Sequence, residues 1–526
     1  MRKRIIVCGL VFFGVLLAGA MVHGLRGRGA QVDKYSTVDR PARIYPDYSS
    51  TVIPPNIAPL NFVVQEAGSG YLARIYSEKG EPMEVFSRSG KILIPVGSWH
   101  KLLDKNRGGE LRFDIFVRTA DQGWVRFDTI TNKIAREDID GYMVYRRMPP
   151  FHYPVKGQVG IYQRNLGNFD EKLVLDNFRY KAGCINCHTF CGNRPGEMFM
   201  SVRNARQGMI TLLMEGGVVS KIGAKFGYAT WHPSGKLAVY SINKLPLIFH
   251  SARSEVQDTV DMDSALAYYV VDSKTVKTSP EISRKDTLET WPAWSADGRY
   301  LYFCVAPKSW TDQTKVPPDG YDKIKYDLVR ISYDIENDKW GKVETVLSAK
   351  DTGLSIAMPR VSPDGRWLMF CMFKYGCFPP WQPSSDLYIM DLKAAEETGR
   401  YEYRRLEINS DQSEALHCWS SNSRWIVFSS KREHGALTRS YISYVDENGK
   451  ACKPLVVPQK DPAFYGRCMD TLNTPEFATG PIAVTGERLA WILRGSAEVS
   501  VVMPITMATP KAGAAQEENQ VLQEVQ

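Results

Sequence analysis

Pro359-Arg360-Val361-Ser362-Pro363-Asp364-Gly365-Arg366-Trp367-Leu368-Met369-Phe370 is the stretch on which the fold reading turns. It reads as a strand, a tight turn built on Asp-Gly, and a second strand with alternating apolar residues. The same pattern stands at Ala229-Thr-Trp-His-Pro-Ser-Gly-Lys-Leu-Ala-Val-Tyr240 and at Pro292-Ala-Trp-Ser-Ala-Asp-Gly-Arg-Tyr-Leu-Tyr-Phe303. A fourth copy, His417-Cys-Trp-Ser-Ser-Asn-Ser-Arg-Trp-Ile-Val-Phe428, has lost the glycine.

A second hairpin element follows each copy, at Leu266–Asp272, Asp327–Asp334, Asp386–Asp391 and Tyr441–Asp446. Four strands per unit, repeating about every 60 residues, describe propeller blades. One such unit cannot bury both of its faces, so neighbours must stack. The pattern resembles the WD40-like repeat of TolB-type β-propellers. Four clear copies span about 220–455. Residues 474–503 read as a degraded further blade, with Arg488–Leu493 as one of its strands. Strands at Met198–Arg203 and Met209–Met214 would complete the ring, placing the intervening chemistry on the propeller's rim. Six blades is the expected count, with five and seven as the neighbouring alternatives.

Working outward gives an all-β chain in five parts. Residues 1–30 form a signal peptide or membrane anchor, and 31–170 a β-sandwich-like domain of alternating runs such as Leu111–Val117. Residues 171–215 form a short attachment segment, 216–508 the propeller, and 509–526 a flexible tail rich in Ala, Gln and Glu. The 526 residues are too many for one core, and 44% hydrophobic with 24% charged residues excludes a mostly disordered chain. The net charge of +8 is spread without a basic run in the body, which argues against a nucleic-acid partner.

Within the attachment segment stands Cys184-Ile185-Asn186-Cys187-His188. This is the C-x-x-C-H spacing of covalent c-type haem attachment. Two thiols three positions apart can form thioethers to the two vinyl groups of one porphyrin, and the adjacent His188 supplies an imidazole nitrogen to the iron. The expectation is one covalent haem c on Cys184 and Cys187, with His188 as proximal ligand. Only one such motif exists, which excludes a multihaem wire. A zinc site from Cys184, Cys187, His188 and Cys191 crowds four ligands into eight residues, unlike structural zinc spacing. A thioredoxin-like pair lacks its βαβ setting, and a plain disulfide is the remaining alternative. For the sixth iron position the candidates are Met200 or Met198 first, then Met209, Met214, His152, His232, His250 and Cys191. An open position is a further alternative.

Export would bring the motif to the compartment where such attachment occurs. Arg2-Lys3-Arg4 precedes an apolar run from Ile5 to Val22. That run is long enough for a single span, while Ala18-Gly19-Ala20 resembles a cleavage site. The expected location is the periplasmic side of the inner membrane if anchored, or the periplasm or exterior if cleaved.

The order of leader, β-domain, Cys-x-x-Cys-His and Val-Ser-Pro-Asp-Gly-Arg blades resembles a group of exported bacterial TolB-like propeller proteins carrying a cytochrome c motif. They are often labelled cytochrome c biosynthesis proteins. The resemblance implies haem at Cys184 and Cys187 with His188 beneath it, and no substrate. Two functions follow as expectations. One is a monohaem cytochrome, with the propeller as docking platform for a redox protein. The other is a protein- or glycan-binding scaffold in envelope assembly, in which haem is structural or sensory. A hydrolase is disfavoured by the lack of Gly-x-Ser-x-Gly. The turn acids Asp297, Asp364 and Glu414 read as turn formers.

Overall fold

A computed structural model describes residues 32–150, 158–179, 184–204, 208–224, 226–250, 255–310, 312 and 314–495. The leader and the C-terminal tail lie outside these residues, as does His152. Among the described residues no helix is long and apolar enough to cross a membrane.

The chain is mostly β and divides into two compact units. One comprises residues up to 50, 59–134 and 458–466; the other 51–58, 135–457 and 467 onward. In the first, Ser36–Pro41 runs parallel to Gly123–Asp128, which continues antiparallel into Glu110–Thr119 and Ile130–Ile134. A small second sheet joins Ile44–Tyr45, Phe62–Val64 and Lys91–Ile92. The sandwich-like expectation contained no helix, yet Val96–Lys105 is one. Trp99, Leu102 and Leu103, spaced three and four apart, give it a buried stripe.

The second unit repeats one four-stranded antiparallel sheet six times among the described residues. The leading strands, in cyclic order, are Thr471–Ala478, Cys184–Cys191, Ala229–Trp231, Thr287–Trp294, Ser355–Val361 and Glu414–Trp419. Each contacts the next, and Glu414–Trp419 returns to Thr471–Ala478. This is a propeller-type arrangement. We number the sheets one to six in that order.

The first sheet differs from the sequence reading in two ways. Its outer three strands are Tyr142–Met148, Gly160–Asn165 and Glu171–Asp176, which that reading divided between the N-terminal domain and the attachment segment. Its leading strand comes from the far end of the chain, pairing antiparallel with Tyr142–Met148. The expected strand at Arg488–Leu493 is instead part of a helix, Gly486–Arg494. Thr485 caps its N-terminus by accepting the Arg488 N–H, and Lys221 Nζ donates to the Leu493 and Gly495 carbonyls at the other end. Residues 499–503 of that expected blade lie outside the described residues.

The second sheet contains the Cys-x-x-Cys-His motif, in its leading strand rather than at a rim. Arg194–Asn204 and Gly208–Glu215 follow it, so the strands foreseen near Met198 and Met209 do join this repeat.

The turns obey the motif that revealed them. Gly235, Gly298 and Gly365 all have φ of 74–77°, the left-handed region that Asp-Gly turns need. In the fourth copy Ser423 takes the same conformation, φ 61°. Its hydroxyl accepts the Asp364 N–H at 2.9 Å, tying the turns of neighbouring sheets together.

Candidate functional site

The motif strand carries a bulge. Ile185 pairs with Val202 and His188 with Met200, so Asn186 and Cys187 together oppose Ser201. Similar one-residue slips occur in the leading strands Thr287–Trp294, Ser355–Val361, Glu414–Trp419 and Thr471–Ala478. The first residue of the slip is Asn186 in the motif strand and Trp291, Met358, Leu416 and Thr474 in the other four. Of that row, Trp291, Met358, Leu416 and Thr474 adopt φ of 52–57°, a strained conformation for residues other than glycine.

A histidine stands beside the slip in two of the sheets, His188 in sheet two and His417 in sheet six. His188 is 3% exposed, and its Nε2 lies 3.3 Å from the Val144 carbonyl in the second strand of the preceding sheet. His417 does the same to the Met369 carbonyl at 3.2 Å. Burial pulls the His188 pKa down to about 4 and that of His417 to about 3, so both rings are neutral at pH 7. They differ at the second nitrogen. His417 Nδ1 lies 3.9 Å from Cys371 Sγ, whereas His188 Nδ1 is buried and has no hydrogen-bond partner among the described residues.

That difference is the test of fit for a metal-bearing cofactor. A ligating imidazole is neutral and donates its other N–H to a carbonyl, fixing the tautomer. His188 meets both conditions: N–H to Val144, lone pair on Nδ1. Those two conditions concern the His188 ring alone; the side chains of Cys184 and Cys187 lie outside the described residues.

The candidate methionines lie on strands next to the motif. Met200 is the direct cross-strand partner of His188, and Met198 that of Phe190. Both are fully buried in one layer with Ile185, Phe190 and Val144. Cross-strand partners project side by side, so Met200 sits beside His188 in that buried layer and Met198 beside Phe190. Met214 joins the same layer, and Met209 is 46% exposed. His232 is engaged in its own turn, Nδ1 to Ser234 Oγ at 2.7 Å and Nε2 to the Gly298 carbonyl at 3.2 Å. His250 bonds Tyr321 at 3.0 Å. Cys191 accepts from Arg194, and burial raises its thiol to about 11, leaving it protonated. Among the turn acids, Asp297 and Asp364 cap their own turns; Glu414 is buried and held by Ser410, Ser430 and Arg432.

One feature near the motif escaped the sequence reading. Glu476, Arg360 and Cys418 occupy equivalent positions one residue further along their leading strands. Glu476 accepts from Phe190 N at 3.2 Å and pairs with Arg360 at 3.4 Å. Burial pushes its carboxyl up to about 7 despite that arginine. Arg360 and Glu476 lie 116 apart in sequence, on the leading strands of sheets five and one.

Comparison with known proteins adds no identity. No family model matches the chain, and no curated protein matches it. Among solved structures, it is similar to a hypothetical selenium-binding protein from Sulfolobus tokodaii, at 9% identity and TM-score 0.38, covering 82% of this chain and 98% of that one. An oligogalacturonate lyase in complex with manganese gives 11% and 0.31, covering 73% and 99%. A puromycin hydrolase gives 13% and 0.34, covering 62% and 54%. Likenesses this distant carry no argument about chemistry.

Proposed function

We propose that the protein is an exported monohaem c-type cytochrome whose six sheets are the blades of a closed propeller. In this reading the leading strands line the axis, and strand Thr471–Ala478 closes the ring by completing blade one. The N-terminal apolar segment tethers the body to the periplasmic side of the inner membrane, or is cleaved to release it. The partner is a redox protein docking on the propeller.

The observation that carries the reading is the buried Nδ1 of a neutral His188, without a partner among the described residues, directly after Cys184-x-x-Cys187 in the sequence. Cys184 and Cys187 would hold the porphyrin through thioethers and His188 would hold the iron. When bound, haem supplies a one-electron iron centre. The chain's own contribution is to keep the His188 imidazole neutral by burial and to fix its tautomer through Val144.

A second reading, a binding scaffold for an envelope protein or glycan, has one observation in its favour. His417 makes the same carbonyl bond outside any Cys-x-x-Cys, so inter-sheet packing alone accounts for half of what His188 does. A reduced-minus-oxidised spectrum separates the two. The cytochrome reading expects a sharp c-type α band that disappears in Cys184→Ala; a protein without that band, binding its partner all the same, is the scaffold.

A further inference from the structure

We propose that Arg360 anchors an anion site inside the ring of leading strands, and that the site takes a small carboxylate. The site is independent of the haem reading.

The Arg360 side chain crosses the interior of that ring. It starts from the leading strand of sheet five, yet its Nη2 lies 3.4 Å from Glu476 Oε1 on sheet one, two steps away around the cyclic order. Its charge is felt in two further sheets. Burial lowers the pKa of His417 in sheet six and of His188 in sheet two, and Arg360 lowers both further, joined at His188 by Arg146. Burial raises the Cys418 thiol of sheet six against the pull of the same guanidinium. One side chain that acts on sheets one, two and six from sheet five stands in a narrow space between them. Arg146 brings a second positive charge, its Nε donating to Asn473 Oδ1 at 3.0 Å. The acid that meets them is Glu476, and burial raises its carboxyl to about 7, so at neutral pH it cancels only part of that charge.

The guanidinium is also under-used. A separation of 3.4 Å is long for a charge-assisted bond, and no other hydrogen bond or ion pair holds the Arg360 side chain among the described residues. Glu476 does not offer both oxygens to it, because Oε2 accepts the Phe190 N–H at 3.2 Å. A planar fork of five N–H donors is thus left with one long contact, and a carboxylate is the group that matches such a fork. The Arg360 side chain keeps 34% of its surface exposed, so a solute can reach it. On the hairpin side the sheets are drawn together. Asn193 Nδ2 donates to the Trp419 and Phe477 carbonyls at 3.0 and 3.1 Å, and Trp419 Nε1 to the Arg360 carbonyl at 3.2 Å. Entry is therefore from the opposite side, past the half-buried Leu416, Asn473 and Thr474. A space that one arginine spans admits a small anion rather than a nucleotide.

The test is equilibrium dialysis of the full chain at pH 7 and fixed ionic strength, with radiolabelled acetate as the probe. Wild type should take up one acetate per chain, saturably, and a tenfold excess of chloride should not displace it. Arg360→Gln should weaken uptake by about tenfold or more, the loss of a charged hydrogen-bond donor. Arg360→Lys keeps the charge without the fork and should fall between the two. Glu476→Gln removes the competing carboxylate and should tighten binding, while Arg299→Gln, on an exposed turn, should change nothing. Circular dichroism checks that each variant is folded. No saturable uptake by wild type overturns the site, and so does equal displacement by chloride, which marks a plain counter-ion. Undiminished uptake in folded Arg360→Gln, or weaker uptake in Glu476→Gln, overturns it as well.

Discussion

His188 and His417 make the same contact between sheets, each holding its Nε2 against a backbone carbonyl of the preceding sheet, Val144 in one case and Met369 in the other. The bond is a device of the repeat, since a buried carbonyl at this level of the sheet needs a donor and a histidine reaches it. What sets His188 apart is its second nitrogen, which no group among the described residues satisfies. Replacing either histidine by alanine removes one buried hydrogen bond and leaves a cavity, at a cost of about 2–4 kcal/mol in urea unfolding. Only His188→Ala should also change the visible spectrum of the matured protein. Equal spectral effects of the two variants would contradict the distinction.

The same pair predicts an acid limit. Both rings have pKa values pulled below the ordinary 6.5 by burial, to about 4 and about 3. Above 6.5 neither state binds the protons, and the stabilisation is fully present. As pH falls from 6.5 toward 4 and then 3, the unfolded chain takes up protons that the native rings refuse, so stability drops. His417→Gln should flatten the fall between pH 6.5 and 4 in urea midpoints measured across pH.

Glu476 predicts the opposite slope. Its carboxyl is raised from 4.5 to about 7, so its contribution is present below 4.5 and lost as pH rises through 7. Glu476→Gln should remove that loss. Urea midpoints that still decline with the wild-type slope between pH 4.5 and 7 would contradict it.

Glycines in the repeated turns should differ in tolerance. A Cβ on Gly298 would lie 2.3 Å from His232 Nε2, while one on Gly365 meets only Ala296 Cβ at 3.4 Å. Both need positive φ, so Gly365→Ala should cost about 1 kcal/mol. Gly298→Ala should cost roughly 2–4 kcal/mol, because it also breaks the contact that His232 makes with the Gly298 carbonyl. Thermal melts of the two variants give the comparison.

Much of the propeller was legible because its signals are local. Ser-Pro-Asp-Gly-Arg at 362–366 specifies a turn by chemistry that acts within a few residues, and alternation on either side specifies the strands. The closing strand was not legible as such. Thr471–Ala478 pairs with residues more than 300 positions earlier, and no local pattern encodes a partner at that distance. The helix at Gly486–Arg494 was misread because Leu489, Ile492 and Leu493 fit a buried strand as readily as a helix face, and its C-terminal support, Lys221, comes from another sheet. At the site, the motif announced Cys184, Cys187 and His188. The position of Glu476 against Phe190 depends on cyclic order and register, which emerge only when the sheets are assembled.

The most direct measurement is the intact mass, with visible spectrum, of the full chain produced in cells with haem-attachment machinery. One haem added to the polypeptide mass, with a c-type spectrum and loss of both in a Cys184→Ala, Cys187→Ala double variant, is the expected result. A colourless protein at the bare polypeptide mass would contradict it, and would leave His188 with the packing role that His417 already has.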